Sequence, residues 1–241
     1  AVLAAIPARG LDKDREFEFA SGLIEIGFAD FADKVLEQIL QQFPGEQDRA
    51  KLFQAEILIK RGKFADAAEL VKTMAADNPK AQAISLALAR GYHRNGDMDK
   101  ARQLYSAFFD QYKGRIPTDP DLLRFYQDSA YQFGQMLEQD GDLQGAIDAY
   151  SRIVATTTDR TKQRQIWADQ SQLYVNMAGK ETGEARTKHL DEAYKLSEKV
   201  LWGGTDLPFG NAIISMANIS LLKGDKAGAE KLLREKLTLL K

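Results

Sequence analysis

The chain has 241 residues, of which 44% are hydrophobic and 28% charged, with a formal net charge of −2. Acidic and basic residues are mixed along it, so no strong field favours nucleic acid or an anionic membrane as a partner. The lack of cysteine excludes thiol nucleophiles, thiolate metal sites and disulfides. No apolar run approaches the roughly 20 residues that span a bilayer, which predicts no direct membrane insertion.

The first seven residues, Ala1 to Pro7, contain no initiator Met. This opening predicts that something upstream was removed. A cleaved signal peptide and a segment cut from a larger protein both fit, so the question stays open at this stage. An exported, periplasmic location is favoured over a cytoplasmic one.

A Gly-containing turn followed by an Ala in the same local setting recurs six times along the chain, at intervals of 34 to 47 residues. Periods of about 34 residues are typical of stacked two-helix units. We therefore expect an all-α protein that forms a right-handed α-α superhelix, or solenoid, of about six helix pairs. The six alanines are Ala32, Ala67, Ala101, Ala146, Ala193 and Ala229.

The third unit has the clearest pattern, which reads Leu88-Ala89-x-x-Tyr92, Asn95-Gly96-Asp97 and Ala101-x-x-x-Tyr105. This pattern resembles the tetratricopeptide repeat. Its small residues let two helices approach closely, its Gly supplies the positive φ that ends the first helix, and its aromatic residues fill the space between them. The second unit matches through Ala55, Leu58, Gly62, Phe64 and Ala67, and the other units match more weakly.

The resemblance covers nearly the whole chain and predicts a single solenoid domain over 1–241. The expected repeats are at about 13–45, 48–79, 80–113, 121–158, 164–203 and 209–241, with insertions at about 114–120 and 178–188. In the first insertion, Asp119 is expected to cap a new helix that has Pro120 at its first position. The second insertion is Gly-rich and charged, and it predicts either a longer loop or an extended pair of helices.

Few residues in the chain could carry chemistry. His93 and His189 are the only histidines, and neither accompanies a recognisable nucleophile motif. We expect His189 to be solvated. Asp140-Gly141-Asp142 resembles the start of a calcium loop, but its Gly falls on the turn position of the repeat, which favours a turn. The sequence therefore predicts no enzyme, no metal and no cofactor.

The resemblance implies that the first helix of each unit faces a concave groove. Projecting the inward positions of the family onto this sequence predicts a basic strip in unit three and a polar, aromatic strip in unit four. The alternative is that these side chains are merely solvated. The predicted partner-binding residues are Glu56, Arg90, His93, Arg94, Tyr131, Gln132, Gln135, Glu138, Gln172, Asn176 and Asn218.

The favoured function is a non-enzymatic scaffold or adaptor that binds a protein or peptide in this groove. The degenerate units are similar to those of bacterial envelope assemblies. A carbohydrate-binding helical protein of the outer-membrane uptake type is the first alternative, with Trp202 as its one aromatic candidate, although we expect Trp202 to pack at a helix end. A docking or regulatory domain of a larger protein is the other alternative.

The C-terminal helix is rich in leucine, and no polar cap follows it in the sequence. This predicts continuation of the protein, self-association, or contact with a partner through this helix. The leucines are Leu232, Leu233, Leu237, Leu239 and Leu240.

Overall fold

The computed structural model describes residues 12–74 and 78–240, and within them the chain forms twelve α-helices and no strand. The predicted all-α class and its helix pairs are confirmed. Short 3₁₀ helices lie at Pro44–Glu46 and Thr238–Leu240. The pairs are α1 (Lys13–Glu25) with α2 (Ala29–Gln42), α3 (Gln47–Lys60) with α4 (Phe64–Lys72), α5 (Pro79–Arg94) with α6 (Met98–Asp110), α7 (Pro120–Gln139) with α8 (Leu143–Val154), α9 (Arg160–Gly179) with α10 (Gly183–Leu201), and α11 (Leu207–Leu222) with α12 (Lys226–Leu237).

A glycine with positive φ ends the first helix in five of these six pairs. In the third pair, the Gly96 N–H donates to the His93 carbonyl at 2.9 Å, and the Asp97 N–H donates to the Tyr92 carbonyl at 2.9 Å. This arrangement is a Schellman motif, which satisfies the last carbonyls of a helix and needs a left-handed residue. The five glycines have φ between 72° and 87°, and they are Gly27, Gly62, Gly96, Gly141 and Gly224.

Aspartates begin several of the helices. Asp97, Asp142 and Asp225 each accept a hydrogen bond from the backbone amide three residues later, which caps α6, α8 and α12. Asp119 accepts from the Leu122 amide at 2.9 Å, and Pro120 occupies the first turn of α7. The predicted cap of α7 is therefore confirmed.

The six repeated alanines are all buried. Five of them are 0% exposed and Ala229 is 3% exposed. Each lies on the second helix of its pair, where a larger side chain would force the two helices apart. These residues are Ala32, Ala67, Ala101, Ala146, Ala193 and Ala229.

The chain divides into two compact units between Arg115 and Ile116. Unit 1 contains α1 to α6, and unit 2 contains α7 to α12. The predicted extent of a single domain and the predicted repeat limits stay predictions. Apolar side chains from three successive helices build the core at one end of unit 1, including Phe17, Leu36, Ile39 and Ile57. Unit 2 has a comparable cluster that includes Val175, Leu190 and Ile219.

The stretch at 178–188 is mostly helical. Helices α9 and α10 have 20 and 19 residues, whereas α3 and α4 have 14 and 9. The expansion thus extends a helix pair instead of lengthening a loop. His189 is not solvated as predicted, because its Nδ1 lies 2.6 Å from Glu181 Oε2 and its ring lies against Tyr174. Arg186 on α10 also donates to the Leu222 carbonyl of α11.

Some sequence predictions concern residues that the structure does not describe. The opening stretch Ala1 to Pro7 and the side chains of Leu237 and Leu240 lie outside the described residues. Leu239, which lies in the closing 3₁₀ helix, is exposed. None of the helices in the described part of the chain combines the length and the hydropathy that a membrane span requires.

Candidate functional site

The first helices of the three pairs in unit 1 line an open cavity of about 640 Å³. Three of the predicted groove residues, Glu56, Arg90 and Arg94, lie in its wall. The structure thus brings together a carboxylate from α3 and two guanidinium groups from α5. The full lining is Ser21, Ile24, Glu25, Glu56, Ile59, Lys60, Gly62, Phe64, Ala87, Arg90, Gly91, Arg94 and Asn95.

The charges in this cavity have both signs. Burial raises the pKa of Glu56, the nearby Glu25 raises it further, and Lys60 partly offsets both effects. Arg90 hydrogen-bonds the hydroxyl of the buried Tyr105, which anchors its guanidinium in the wall. An occupant of this cavity would therefore meet an acidic side and a basic side.

The wall of the cavity also has an aromatic part. The Phe64 ring lies against Gly91, where an added Cβ would come within 2.6 Å of Phe64 Cε1. The ring centroids of Phe64 and Tyr92 are 5.4 Å apart. Gly91 therefore lets the ring of one pair lie directly on the first helix of the next. His93 is half-buried on the same helix, but it is not part of the cavity lining.

Unit 2 has its own open groove of about 690 Å³, lined mainly by α9 and α11, with Glu138 of α7 at its edge. Four predicted residues meet there, Glu138, Gln172, Asn176 and Asn218. The Gln172 Nε2 donates to Asn176 Oδ1 at 2.9 Å, and Gln172 Oε1 accepts from the hydroxyl of Ser215 at 3.3 Å. These bonds hold the amide groups in defined orientations within the groove wall.

The remaining predicted residues, Tyr131, Gln132 and Gln135, are exposed on α7 ahead of Glu138. The Tyr131 ring packs on that of Tyr150, with centroids 5.5 Å apart. The structure thus connects the predicted polar strip of α7 to an aromatic residue of α8.

Tyr150 and Asp169 are site residues that the sequence pattern did not reveal. The Tyr150 hydroxyl donates to Glu138 Oε2 at 3.4 Å. Burial raises the pKa of Asp169 to about 6, and the charge of Glu138 adds to the effect, while a hydrogen bond from Gln165 opposes it. A signal was present, because Gln165, Asp169, Gln172 and Asn176 are spaced three or four residues apart on one face of α9.

Arg164 is another residue that the sequence pattern did not reveal. Its side chain is only 6% exposed, and its guanidinium pairs with Asp206 at 2.6 Å. It also donates to the carbonyl of Val200 at 2.8 Å and to that of Gly204 at 2.9 Å. These bonds brace the loop between α10 and α11, and Arg164 holds the pKa of Asp206 below its usual value.

Trp202 lies in this braced loop, and its side chain is not packed at a helix end. It is 90% exposed, which shows that the predicted packing role is wrong. In and beside this loop, two backbone carbonyls and the side chain of Asp206 accept hydrogen bonds from Arg164. The indole therefore remains in solvent while the backbone beside it is fixed.

The Asp140-Gly141-Asp142 segment forms the turn between α7 and α8, as predicted. Gly141 has φ of 83°, and Asp142 accepts from the Gly145 amide at 2.9 Å. Both features belong to the helix connection. Across 12–74 and 78–240 no group of three or more acidic or histidine side chains is placed to hold a metal ion.

Comparisons with known proteins agree with the repeat pattern. The tetratricopeptide repeat family matches residues 58–115. The nearly identical TPR-like repeats of a candidate kinesin light chain from Podosopora anserina superpose with a TM-score of 0.52 and 17% identity, covering 80% of this chain and 95% of that one. A single-residue variant of the same repeats superposes with a TM-score of 0.51 and 17% identity, covering 80% of this chain and 94% of that one.

A tetratricopeptide repeat protein from Parabacteroides merdae gives a TM-score of 0.49 at 15% identity, covering 95% of this chain and 80% of that one. No curated protein sequence matches significantly. At these identities the structural likeness concerns the fold. Residues 58–115 therefore match the tetratricopeptide repeat, and the chain as a whole has an all-α paired-helix fold similar to that of known TPR-like repeats.

Proposed function

We propose that this chain is a non-enzymatic scaffold that binds a protein or peptide segment in the grooves of its first helices. Tetratricopeptide repeats commonly serve as protein-interaction scaffolds. The observation that carries the proposal is the convergence of Glu56, Arg90 and Arg94 in one open cavity, and of Glu138, Gln172 and Asn218 in another. Open grooves with separated polar groups suit an extended peptide.

The chemistry of the grooves supports binding over catalysis. The polar groups of the unit 2 groove are mainly amides, and Gln172 and Asn176 are bonded to each other. The acidic and basic groups of the unit 1 cavity are spread over α1, α3 and α5 in an open wall. Such groups can hydrogen-bond and pair with a partner segment. A role within a bacterial envelope assembly is a further part of this proposal.

The test is selection of short random peptides by phage display on the immobilised protein, followed by calorimetry on the enriched peptides. We expect Arg90→Glu with Arg94→Glu, or Gln172→Ala with Asn218→Ala, to weaken binding by about tenfold or more. Gln103→Ala with Glu198→Ala is a matched control, since both residues are exposed on second helices.

Two results would contradict the proposal. One is that selection enriches no peptide over an unrelated protein of similar size. The other is that the enriched peptides bind both groove variants as tightly as the wild-type chain. Circular dichroism of each variant shows whether its helices are intact before its affinity is interpreted.

A carbohydrate-binding role is a second candidate, because one specific observation favours it. Trp202 is 90% exposed on a loop that Arg164 braces, and an exposed indole can stack on a sugar ring. A glycan array probed with the wild-type chain and with Trp202→Ala tests this role. Binding that disappears in Trp202→Ala would favour it, and an array without signal would exclude it for the glycans tested.

A further inference from the structure

Acidic and aromatic side chains on α7, α8 and α9 of unit 2 interact with one another and form a cluster, unlike side chains that are merely solvated. Tyr131 and Tyr150 pack ring against ring, and the Tyr150 hydroxyl bonds Glu138. Asp169 interacts electrostatically with Glu138 and with both tyrosines. These four side chains therefore form one local site, although they come from three helices.

The ring of Tyr150 is fixed in place. It is 2% exposed and lies on Gly134, where a Cβ would come within 2.3 Å of Tyr150 Cε1. This close contact lets the phenol reach across α7 to Glu138. Tyr131 lies outside it and is 36% exposed, so it presents an accessible aromatic ring beside the two carboxylates.

No salt bridge in the described part of the chain neutralises the carboxylates of the cluster, although Lys180 lines the same groove as Glu138. The lysine near the start of α9, Lys162, is directed elsewhere, because its Nζ donates to Gln127 Oε1 at 2.9 Å and lies 3.9 Å from Asp128. An exposed carboxylate and a half-buried one beside an accessible ring are complementary to a cation.

The cluster also adjoins the unit 2 groove, since Glu138 belongs to both. Asp169 precedes Gln172 by one turn on α9, so a peptide lying along the groove amides would pass the cluster. A basic side chain of such a peptide could place its alkyl part on the Tyr131 ring and its charged end between the carboxylates.

We propose that Tyr131, Glu138 and Asp169 form a pocket that binds the charged end of an Arg or Lys side chain of a partner peptide. Tyr150 acts as a positioning residue, because it orients Glu138 and supports the Tyr131 ring. The inference rests on the proposed peptide-binding function, and it names the chemistry of the partner that unit 2 selects.

The test uses a small probe, so that it does not depend on a known partner. Butylguanidinium is titrated into the ¹⁵N-labelled chain while the amide signals near Tyr131, Glu138 and Asp169 are followed by NMR. N-butylurea, which has nearly the same shape without the charge, is the matched ligand control. We expect saturable shifts with the guanidinium only.

Protein variants then locate the site. Glu138→Gln with Asp169→Asn is expected to weaken guanidinium binding by about tenfold, and Tyr131→Ala by a few-fold, since it removes only the cation–π contact. Glu18→Gln with Glu37→Gln removes two exposed carboxylates from unit 1 and controls for net charge. This control is expected to bind like the wild-type chain.

Three results would overturn the pocket: equal binding of N-butylurea, unchanged affinity in Glu138→Gln with Asp169→Asn, or no saturable shift at all. Any of these leaves the peptide selection above unaffected. If peptides are selected whose affinity does not depend on Arg or Lys, then peptide binding stands and the basic-residue pocket does not.

Discussion

The cavity of unit 1 and the groove of unit 2 are both lined by first helices, yet they differ in chemistry. In unit 1, Arg90 and Arg94 face Glu25 and Glu56, so charges of both signs share one wall. In unit 2, the amides of Gln172 and Asn218 lead to a carboxylate cluster, and Lys180 is the basic residue of the lining. The same repeat positions therefore carry different chemistry in the two units.

The two units also differ in how they use their ion pairs. Arg61 in unit 1 is paired with Asp33 at 2.7 Å and is also hydrogen-bonded to Asp30, and these side chains are partly or largely exposed. Arg164 in unit 2 is buried and donates four hydrogen bonds to the end of α10 and the loop that follows. Exposed pairs contribute little to stability, whereas removal of one buried partner leaves polar groups unsatisfied.

The largest expected effect tests the difference between the exposed ion pairs of Arg61 and the buried hydrogen bonds of Arg164. Arg164→Ala should lower the free energy of unfolding by about 2 to 3 kcal/mol, because the carbonyls of Val200 and Gly204 lose their donor. Arg61→Ala should cost less than about 1 kcal/mol. Urea denaturation measures both values, and hydrogen exchange should show lost protection near Asp206. Equal costs for the two variants would contradict the distinction.

A smaller effect is expected from the two glycines that accept aromatic rings. Gly134→Ala should destabilise the chain by about 1 to 2 kcal/mol, because the new methyl overlaps the buried Tyr150 ring. Gly91→Ala should cost less, since Phe64 is only half-buried and can move. Alanine also gains about 1 kcal/mol in helix propensity at both sites. Thermal and urea unfolding of Gly134→Ala and Gly91→Ala measure both costs. A larger cost for Gly91→Ala would contradict this prediction.

The smallest effect concerns Asp169, which faces Glu138, Tyr131 and Tyr150. A carboxyl whose folded pKa is raised to about 6 destabilises the fold above that pH, and the cost disappears as the pH falls from 6 toward the usual value. Asp169→Asn should therefore raise the free energy of unfolding at pH 8 by about 1 kcal/mol, a figure reduced for solvent screening.

The measurement for Asp169 is urea unfolding of both proteins at about pH 8 and about pH 4.5, on either side of the raised pKa. The advantage of Asp169→Asn should be fully present at the higher pH and reduced to about a third at the lower one, since it vanishes only below the pKa of the unfolded chain. Asp148→Asn, an exposed aspartate on α8, is the control. An advantage of equal size at both pH values would show that the raised pKa of Asp169 is not its cause.

Much of the fold could be predicted because its local signals are short-range. A glycine such as Gly96 ends a helix through bonds to carbonyls within the preceding turn, and an aspartate such as Asp119 caps the helix that follows it. The repeated alanines predicted the close helix pairs for the same reason. The expansion at 178–188 was ambiguous, because its glycines and charges fit both a loop and longer helices.

The site was predicted less completely, because its missing members depend on contacts between distant residues. Arg164 is buried through a partner 42 positions away, which no local pattern shows. Burial between helices raises the pKa of Asp169 and of Tyr150, and the charge of Glu138 on another helix adds to both shifts. Trp202 was misassigned because an aromatic residue at a helix end usually packs, whereas here the backbone bonds of the loop leave it outside.

The position of Arg164 links the stability of the helices around it. Its guanidinium meets the carbonyl end of α10, where the helix dipole is negative, and also Asp206, the residue that caps the positive end of α11. One side chain from α9 thus compensates the facing ends of two successive helices. Neither end is fully satisfied until α9 is in place, so the three helices are expected to gain stability together.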